Sequence, residues 1–265
     1  MKIDKAKLIY FSPTGTTRRI LDYIAEGLEA PVERVDLTKP DFDRKIGSFG
    51  GELAVIGVPV YVGRVPALAA ERLRMLKANK TPAVLVVVYG NRAYEDALLE
   101  LSDITSGQGF KAIAGGAFVA EHSFSSTEVP IAHGRPDEAD KMKAINFGAK
   151  VREKLISGSQ TAVVFPGNRP YRDPYPAGRE RPKPTSPETY EDKCTKCGNC
   201  EKACPSGAIS IGSTVETRKE ACIRCYACIR SCPTGARAMT DQWFVSHTKV
   251  LHDNLKKRME PETFL

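Results

Sequence analysis

The eight cysteines of this 265-residue chain all lie between 194 and 232, in two runs of one spacing. The first is Cys194-x2-Cys197-x2-Cys200-x3-Cys204-Pro205, and 28 residues later it repeats as Cys222-x2-Cys225-x2-Cys228-x3-Cys232-Pro233. The echo continues past the cysteines, Pro205-Ser206-Gly207-Ala208 against Pro233-Thr234-Gly235-Ala236, so the segment is an internal repeat with two pseudo-symmetric halves. Clustered cysteines form disulfides in exported chains and bind metal in reducing compartments. Here the N-terminus runs from Met1 straight into Leu8-Ile9-Tyr10-Phe11, too short for the apolar core of a signal peptide and without a small-residue cleavage site. A cytoplasmic, metal-binding module is therefore expected. Zinc sites use paired Cys-x2-Cys knuckles. Three thiolates at two-residue intervals can instead wrap one corner of an iron–sulfur cubane on a tight loop. A fourth ligand then comes from elsewhere, and the proline breaks the chain after it.

This pattern resembles the bacterial two-cluster ferredoxin family. The resemblance implies two [4Fe–4S] clusters, with the fourth cysteine of each run serving the other cluster. One would take Cys194, Cys197, Cys200 and Cys232; the other would take Cys222, Cys225, Cys228 and Cys204.

A second constellation lies near the N-terminus. The apolar stretch 8–11 leads into Ser12-Pro13-Thr14-Gly15-Thr16-Thr17, and helical spacing of Ile20, Leu21, Ile24 and Leu28 follows at once. A strand–loop–helix turn rich in hydroxyls and backbone N–H groups can cradle a phosphate, aided by the helix dipole. Neither Gly-x4-Gly-Lys-Ser/Thr nor Gly-x-Gly-x-x-Gly is present. On these residues alone, a phosphate cradle and an ordinary helix cap remain open.

The elements that must position these groups alternate. Short apolar strands are read at 8–11, 32–37, 53–58, 83–89 and 112–119, and helices after 16 and over 67–76, 93–101 and 137–155. Strands apolar on both faces, alternating with helices, imply a parallel sheet covered on both sides. The alternation and the first loop together resemble the flavodoxin fold, and the whole chain resembles the fused flavodoxin–ferredoxin proteins of anaerobic bacteria and archaea. The fold class implied is α/β: a flavodoxin-like, doubly wound five-stranded parallel sheet of order 2-1-3-4-5, plus a small C-terminal α+β bacterial ferredoxin-like domain. FMN would bind at the switch between strands 1 and 3. Its phosphate would meet Ser12, Thr14, Gly15, Thr16 and Thr17. Its ring would meet Pro59, Tyr61 and Gly63 after strand 3, and Tyr89, Gly90, Asn91, Arg92 and Tyr94 after strand 4. Arg64 and Arg92 stand where acidic residues are common in such loops. Trp243, the only tryptophan, is far away in sequence. His122, after strand 5, falls at the same sheet edge.

Four segments result: 1–158, the flavodoxin-like FMN-binding domain; 159–189, a proline-rich linker; 190–240, the ferredoxin domain; and 241–265, a C-terminal helix and tail. In the linker Pro166, Pro170, Pro174, Pro176, Pro182, Pro184 and Pro187 exclude helix and sheet interior. In the tail Phe244, His247, Leu251, Leu255 and Met259 share one helical face. The formal charge of +7 is spread along the chain, and no basic stripe with interleaved aromatics suggests nucleic acid. No run of eighteen apolar residues could span a membrane. Redox proteins are the expected partners. The composite reads as an electron-transfer flavo-iron–sulfur protein. Alternatives are a flavin-dependent reductase of a small oxidant or quinone fed through the clusters, and a non-catalytic redox sensor.

Overall fold

The computed structural model describes residues 5–42, 49, 52–159, 163–175 and 183–265; Pro176 and Pro182 of the linker lie outside them. The first unit runs β1 (Ala6–Tyr10), α1 (Thr16–Leu28), β2 (Val32–Asp36), β3 (Leu53–Pro59), α2 (Ala67–Leu73), β4 (Thr81–Tyr89), α3 (Ala97–Ser106), β5 (Phe110–Val119) and α4 (Glu138–Ser157). These five strands pair in parallel in the order β2-β1-β3-β4-β5, the flavodoxin-like winding. Ile56, Val58, Leu85 and Val87 turn to one face, against Ala69 and Leu73 of α2 and Leu98 and Leu101 of α3. Leu8, Val55, Val84 and Val86 turn to the other, against Ile20, Leu21 and Ile24 of α1 and Phe147 and Val151 of α4. Side chains alternate across a strand, and burial on both faces is why β3 and β4 read as unbroken apolar runs.

The second unit holds the cysteines. It runs β6 (Glu188–Thr189), α5 (Asn199–Lys202), β7 (Ile209–Ile211), β8 (Val215–Thr217), α6 (Ala227–Arg230) and β9 (Arg237–Ala238), with β6 against β9 and β7 against β8. The sequence repeat is also a repeat of backbone conformation. Lys196 and Arg224, Gly198 and Tyr226, and Gly207 and Gly235 are equivalent positions, and all have positive φ. At Tyr226 the strain of a non-glycine residue there accompanies a docking contact, since its ring lies 4.5 Å from that of Phe124 in the loop after β5.

The chain then returns to the first unit. Helix α7 (Gln242–Asn254), capped by the Asp241 carboxylate, leads to β10 (Glu262–Phe264), which pairs antiparallel with β5 and makes the sheet six-stranded. The five-stranded expectation lacked this edge strand. Three residues after a proline carry too little alternation to be read as a strand.

The described part of the linker lies on the first unit. Asp96 accepts the amides of Asn168 at 2.8 Å and Arg172 at 2.6 Å, and Asp103 pairs with Arg169. The parallel strands β3, β4 and β5 end at one edge, and over this edge sit the cysteine unit and α7.

Candidate functional site

The loop from β1 to α1 turns on Gly15, whose φ of 83° lies in the left-handed region and beside which a Cβ would meet nothing within 4 Å. A glycine adopts this conformation without the cost a side chain would incur. Gly15 offers no side chain to cap α1, and the first amides of a helix have no intrahelical acceptor. Ser12 Oγ accepts the Arg18 amide at 3.1 Å, while its own amide donates to Thr38 Oγ1 at 2.8 Å. The hydroxyls of Thr14 and Thr16 face each other at 3.4 Å. Thr17 is buried beneath the loop. The loop thus gathers hydroxyls and amides at a helix N-terminus with open space above the glycine, which fits a phosphate.

Each cysteine quartet named above surrounds its own small cavity. Cys194, Cys197, Cys200 and Cys232 line one; Cys204, Cys222, Cys225 and Cys228 line the other. Each quartet thus frames a small space of its own. The Ala208 amide donates to Cys204 Sγ and the Ala236 amide to Cys232 Sγ, both at 3.2 Å, which repeats the pseudo-symmetry at the sulfurs. Burial pushes the Cys225 thiol up to about 12, and raises those of Cys222 and Cys228 as well. Such thiols ionise when a bound cation compensates them. The two quartets differ in exposure: Cys197 of the first is exposed, whereas Cys204, Cys225 and Cys228 of the second are buried.

A third cavity, of about 650 Å³, opens between the strand ends and the cysteine unit. The loop after β3 lines it with Val60, Tyr61 and Val62, the loop after β4 with Arg92, and the loop after β5 with His122 and Phe124. The linker adds Arg172 and Tyr175, the cysteine unit Ile223 and Arg224, and α7 Trp243, Phe244 and His247. Ile223 and the buried quartet belong together, because Ile223 lines the cavity of that quartet too. Tyr61 stands at the same wall: burial raises its phenol well above its ordinary value, and the charges of Cys225 and Cys222 add to the effect. Burial lowers His122 to about 4, with His247, Arg92 and Arg230 adding to the shift. Its Nδ1 accepts the Phe124 amide at 3.1 Å, so the proton of the neutral ring sits on Nε2. Gly90 makes room for this ring, since a Cβ there would come within 2.3 Å of His122 Cδ2.

Several ring-loop residues do other work. Asn91 is buried; its Nδ2 donates to the carbonyls of Leu255 and Lys257, both at 2.8 Å, and its Oδ1 accepts the Met259 amide at 3.0 Å. The Tyr94 hydroxyl donates to Glu262 at 2.8 Å. Both residues hold the returning C-terminal segment and do not line the cavity. Arg64 turns away as well: it grips Glu100 at 2.7 and 2.8 Å, donates to the Arg172 carbonyl and lies over Tyr171. Pro59, Gly63, Tyr89 and Gly90 shape the loops without lining the cavity; Gly63 is held against Glu95, whose carboxylate a Cβ would displace. Arg92 does line it, braced by Glu95 at 2.9 and 3.0 Å. Trp243, remote in sequence, is brought to the cavity by α7, stacked on His247 at 4.8 Å. The periodic face of α7 was the signal for Phe244 and His247; nothing in the sequence singled out Trp243 or Ile223.

Residues 193–236 match the 4Fe–4S dicluster domain family. No curated protein matches the chain. Among solved structures it resembles flavodoxin 2 from Bacillus cereus (17% identity, 57% of this chain and 99% of that one, TM-score 0.41). It also resembles the Fusobacterium nucleatum flavodoxin bound to flavin mononucleotide (14% identity, 57% and 99%, TM-score 0.39). A third is rubredoxin oxygen:oxidoreductase from Desulfovibrio gigas (13% identity, 60% and 38%, TM-score 0.39). The flavodoxin-like assignment of the sheet rests on its strand order, not on these likenesses.

Proposed function

We propose that this chain, a flavodoxin-like sheet joined to a 4Fe–4S dicluster domain, is an electron-transfer protein that passes electrons between FMN and two [4Fe–4S] clusters. FMN takes up electrons singly or in pairs and each cluster singly, so one chain can interconvert one- and two-electron carriers. The observation that carries the proposal is Ile223, a single side chain that lines both the large cavity and the buried quartet.

In this reading Ser12, Thr14, Gly15 and Thr16 hold the phosphate. Tyr61, Arg92, His122 and Trp243 surround the ring. Cys204, Cys222, Cys225 and Cys228 hold the inner cluster, and Cys194, Cys197, Cys200 and Cys232 the outer one. The order is then cavity, buried quartet, exposed quartet, and Cys197 is where a redox partner protein would meet the relay. Val60, Phe124 and Phe244 give the cavity an apolar wall. Anaerobic assay should give one FMN, with about eight iron and eight sulfide per chain. Stoichiometric zinc, or iron without flavin, would refute the assignment.

A second reading draws on the cavity lining. Arg92, Arg172 and Arg224 face it, and among the described residues no Asp or Glu lines it. A small anionic or quinone oxidant admitted beside the ring would make the chain a reductase fed through the clusters. Steady turnover of such an oxidant, inhibited by an aromatic carboxylate such as benzoate, would favour it over the pure carrier.

A further inference from the structure

The repeat breaks at a buried charge. The residue after Ala208 is Ile209, and its equivalent after Ala236 is Arg237. Ile209 packs in an apolar cluster with Ala208 and Val215. Arg237 is only 3% exposed, yet it carries a guanidinium. Its Nη1 donates to Thr189 Oγ1 at 2.6 Å and its Nη2 to Thr217 Oγ1 at 2.8 Å. Nη2 also lies 3.9 Å from Cys228 Sγ, and Nε is buried with no hydrogen-bond partner. None of these partners is a carboxylate.

A buried cation without an anion is costly, and such a group persists where something nearby carries the opposite charge. Both quartets are within its reach. Arg237 lines the cavity of the exposed quartet, while its partners Cys228 and Thr217 line the cavity of the buried one. Strand β9, paired with β6 at Thr189, fixes the guanidinium between them.

We propose that Arg237 is a buried countercharge shared by the two cysteine quartets, its free Nε–H left as a donor for cluster sulfur, and that it makes both clusters easier to reduce. The proposal rests on the reading that the quartets hold [4Fe–4S] clusters. Reducing a cluster adds one electron, taken from the external reductant, and so adds one negative charge. A fixed positive charge in a medium of low dielectric stabilises that state over the oxidised one. Because it is near both quartets, the same charge would stabilise the reduced state of each cluster.

The test uses holoprotein purified anaerobically as wild type, Arg237→Gln and Arg237→Lys. Iron and sulfide are assayed first, and each protein is then titrated with dithionite while the reduced clusters are followed by electron paramagnetic resonance. Absence of iron from the wild type would refute the cluster reading itself. With iron present, the Gln variant, which keeps a hydrogen-bonding head but no charge, should show at least a tenfold fall in the reduction constant of the cluster held by Cys228. For one electron that is about 59 mV to more negative potential. The Lys variant should recover most of the shift. Unchanged potentials in the Gln variant would overturn the proposal, as would a Lys variant shifted as far as the Gln one. If the Gln variant loses its iron, the Lys variant decides: retained iron with a near-native potential supports a charge role, and lost iron overturns it.

Discussion

Arg72 donates a 2.6 Å hydrogen bond to the carbonyl of Pro205, the residue that follows Cys204. The same guanidinium donates to the carbonyls of Leu37 and Thr38 at 2.6 and 2.7 Å, and Thr38 Oγ1 accepts the amide of Ser12. One buried side chain therefore ties the buried quartet to the loop that would hold the phosphate. On the far side Arg230 closes a matching contact, with Nη2 donating to Glu121 and to the His122 carbonyl, both at 3.1 Å.

Replacing Arg72 with Met should loosen this clamp. Hydrogen bonds from a charged donor contribute about 1.5–3 kcal/mol each, and the acceptors left behind are partly buried. The variant should lose about 3 kcal/mol of stability in anaerobic denaturant titrations while keeping its iron. A variant as stable as wild type would show that the units dock by other contacts.

The phosphate loop gives a sharper measurement. The Thr14 and Thr16 hydroxyls converge at 3.4 Å. If each donates to a phosphate dianion, each is worth about 1.5–3 kcal/mol. Replacing both with Val should weaken FMN by about two to four powers of ten and leave iron and sulfide unchanged. Fluorescence titration of the flavin-free protein with FMN reads this directly; an unchanged affinity would move the phosphate elsewhere.

Arg92 and Arg64 should behave differently. Arg92 faces the cavity, whereas Arg64 is turned from it and paired with Glu100. Neutralising Arg92 should disfavour the anionic reduced flavin by about tenfold, close to 59 mV in a one-electron step. Arg64→Gln should leave the flavin potential in place. A shift with Arg64 and none with Arg92 would reverse the placement of the ring.

His122 predicts a pH effect with a definite sign. Burial first, then His247, Arg92 and Arg230, lower it to about 4, against an unfolded value near 6.5. A histidine whose folded pKa is depressed favours unfolding once the unfolded chain takes up the proton. Its neutral form is therefore fully stabilised above about pH 6.5, and stability falls as pH drops toward 4, by on the order of 3 kcal/mol. His122→Gln should flatten that limb relative to wild type when both are unfolded anaerobically across this range. Parallel profiles would mean that the ring titrates normally.

What the sequence made legible follows from how local each signal is. The central strands β3 and β4 were readable because Leu53–Pro59 and Thr81–Tyr89 are buried on both faces and so nearly unbroken in apolar character. The two cysteine runs were readable because their members sit at fixed short spacings, whereas the exchange of the fourth cysteine between runs came from the ferredoxin resemblance. Residue type said less about partners. Asn91, Tyr94 and Arg64 stand in the expected loops, but their polar ends answer to the tail and linker, elements more than thirty residues away in sequence. Ile223 lines two cavities and Arg237 stands beside both quartets, yet each is one residue in a repeat, and only packing reveals what lies on either side. Trp243 reached the cavity through a helix whose face was visible but whose destination was not.

In the proposed relay, electrons cross from the clusters to the ring within one chain, past Ile223. The direct measurement is rapid anaerobic mixing of the holoprotein with a one-electron donor too large to enter the cavity, at several protein concentrations, with cluster and flavin absorbance followed separately. Cluster reduction should come first. Flavin bleaching should follow as a first-order phase, at a rate independent of protein concentration and lost when Cys225→Ser removes a ligand of the buried quartet. Bleaching that scales with protein concentration, or that survives Cys225→Ser at full rate, would contradict the relay.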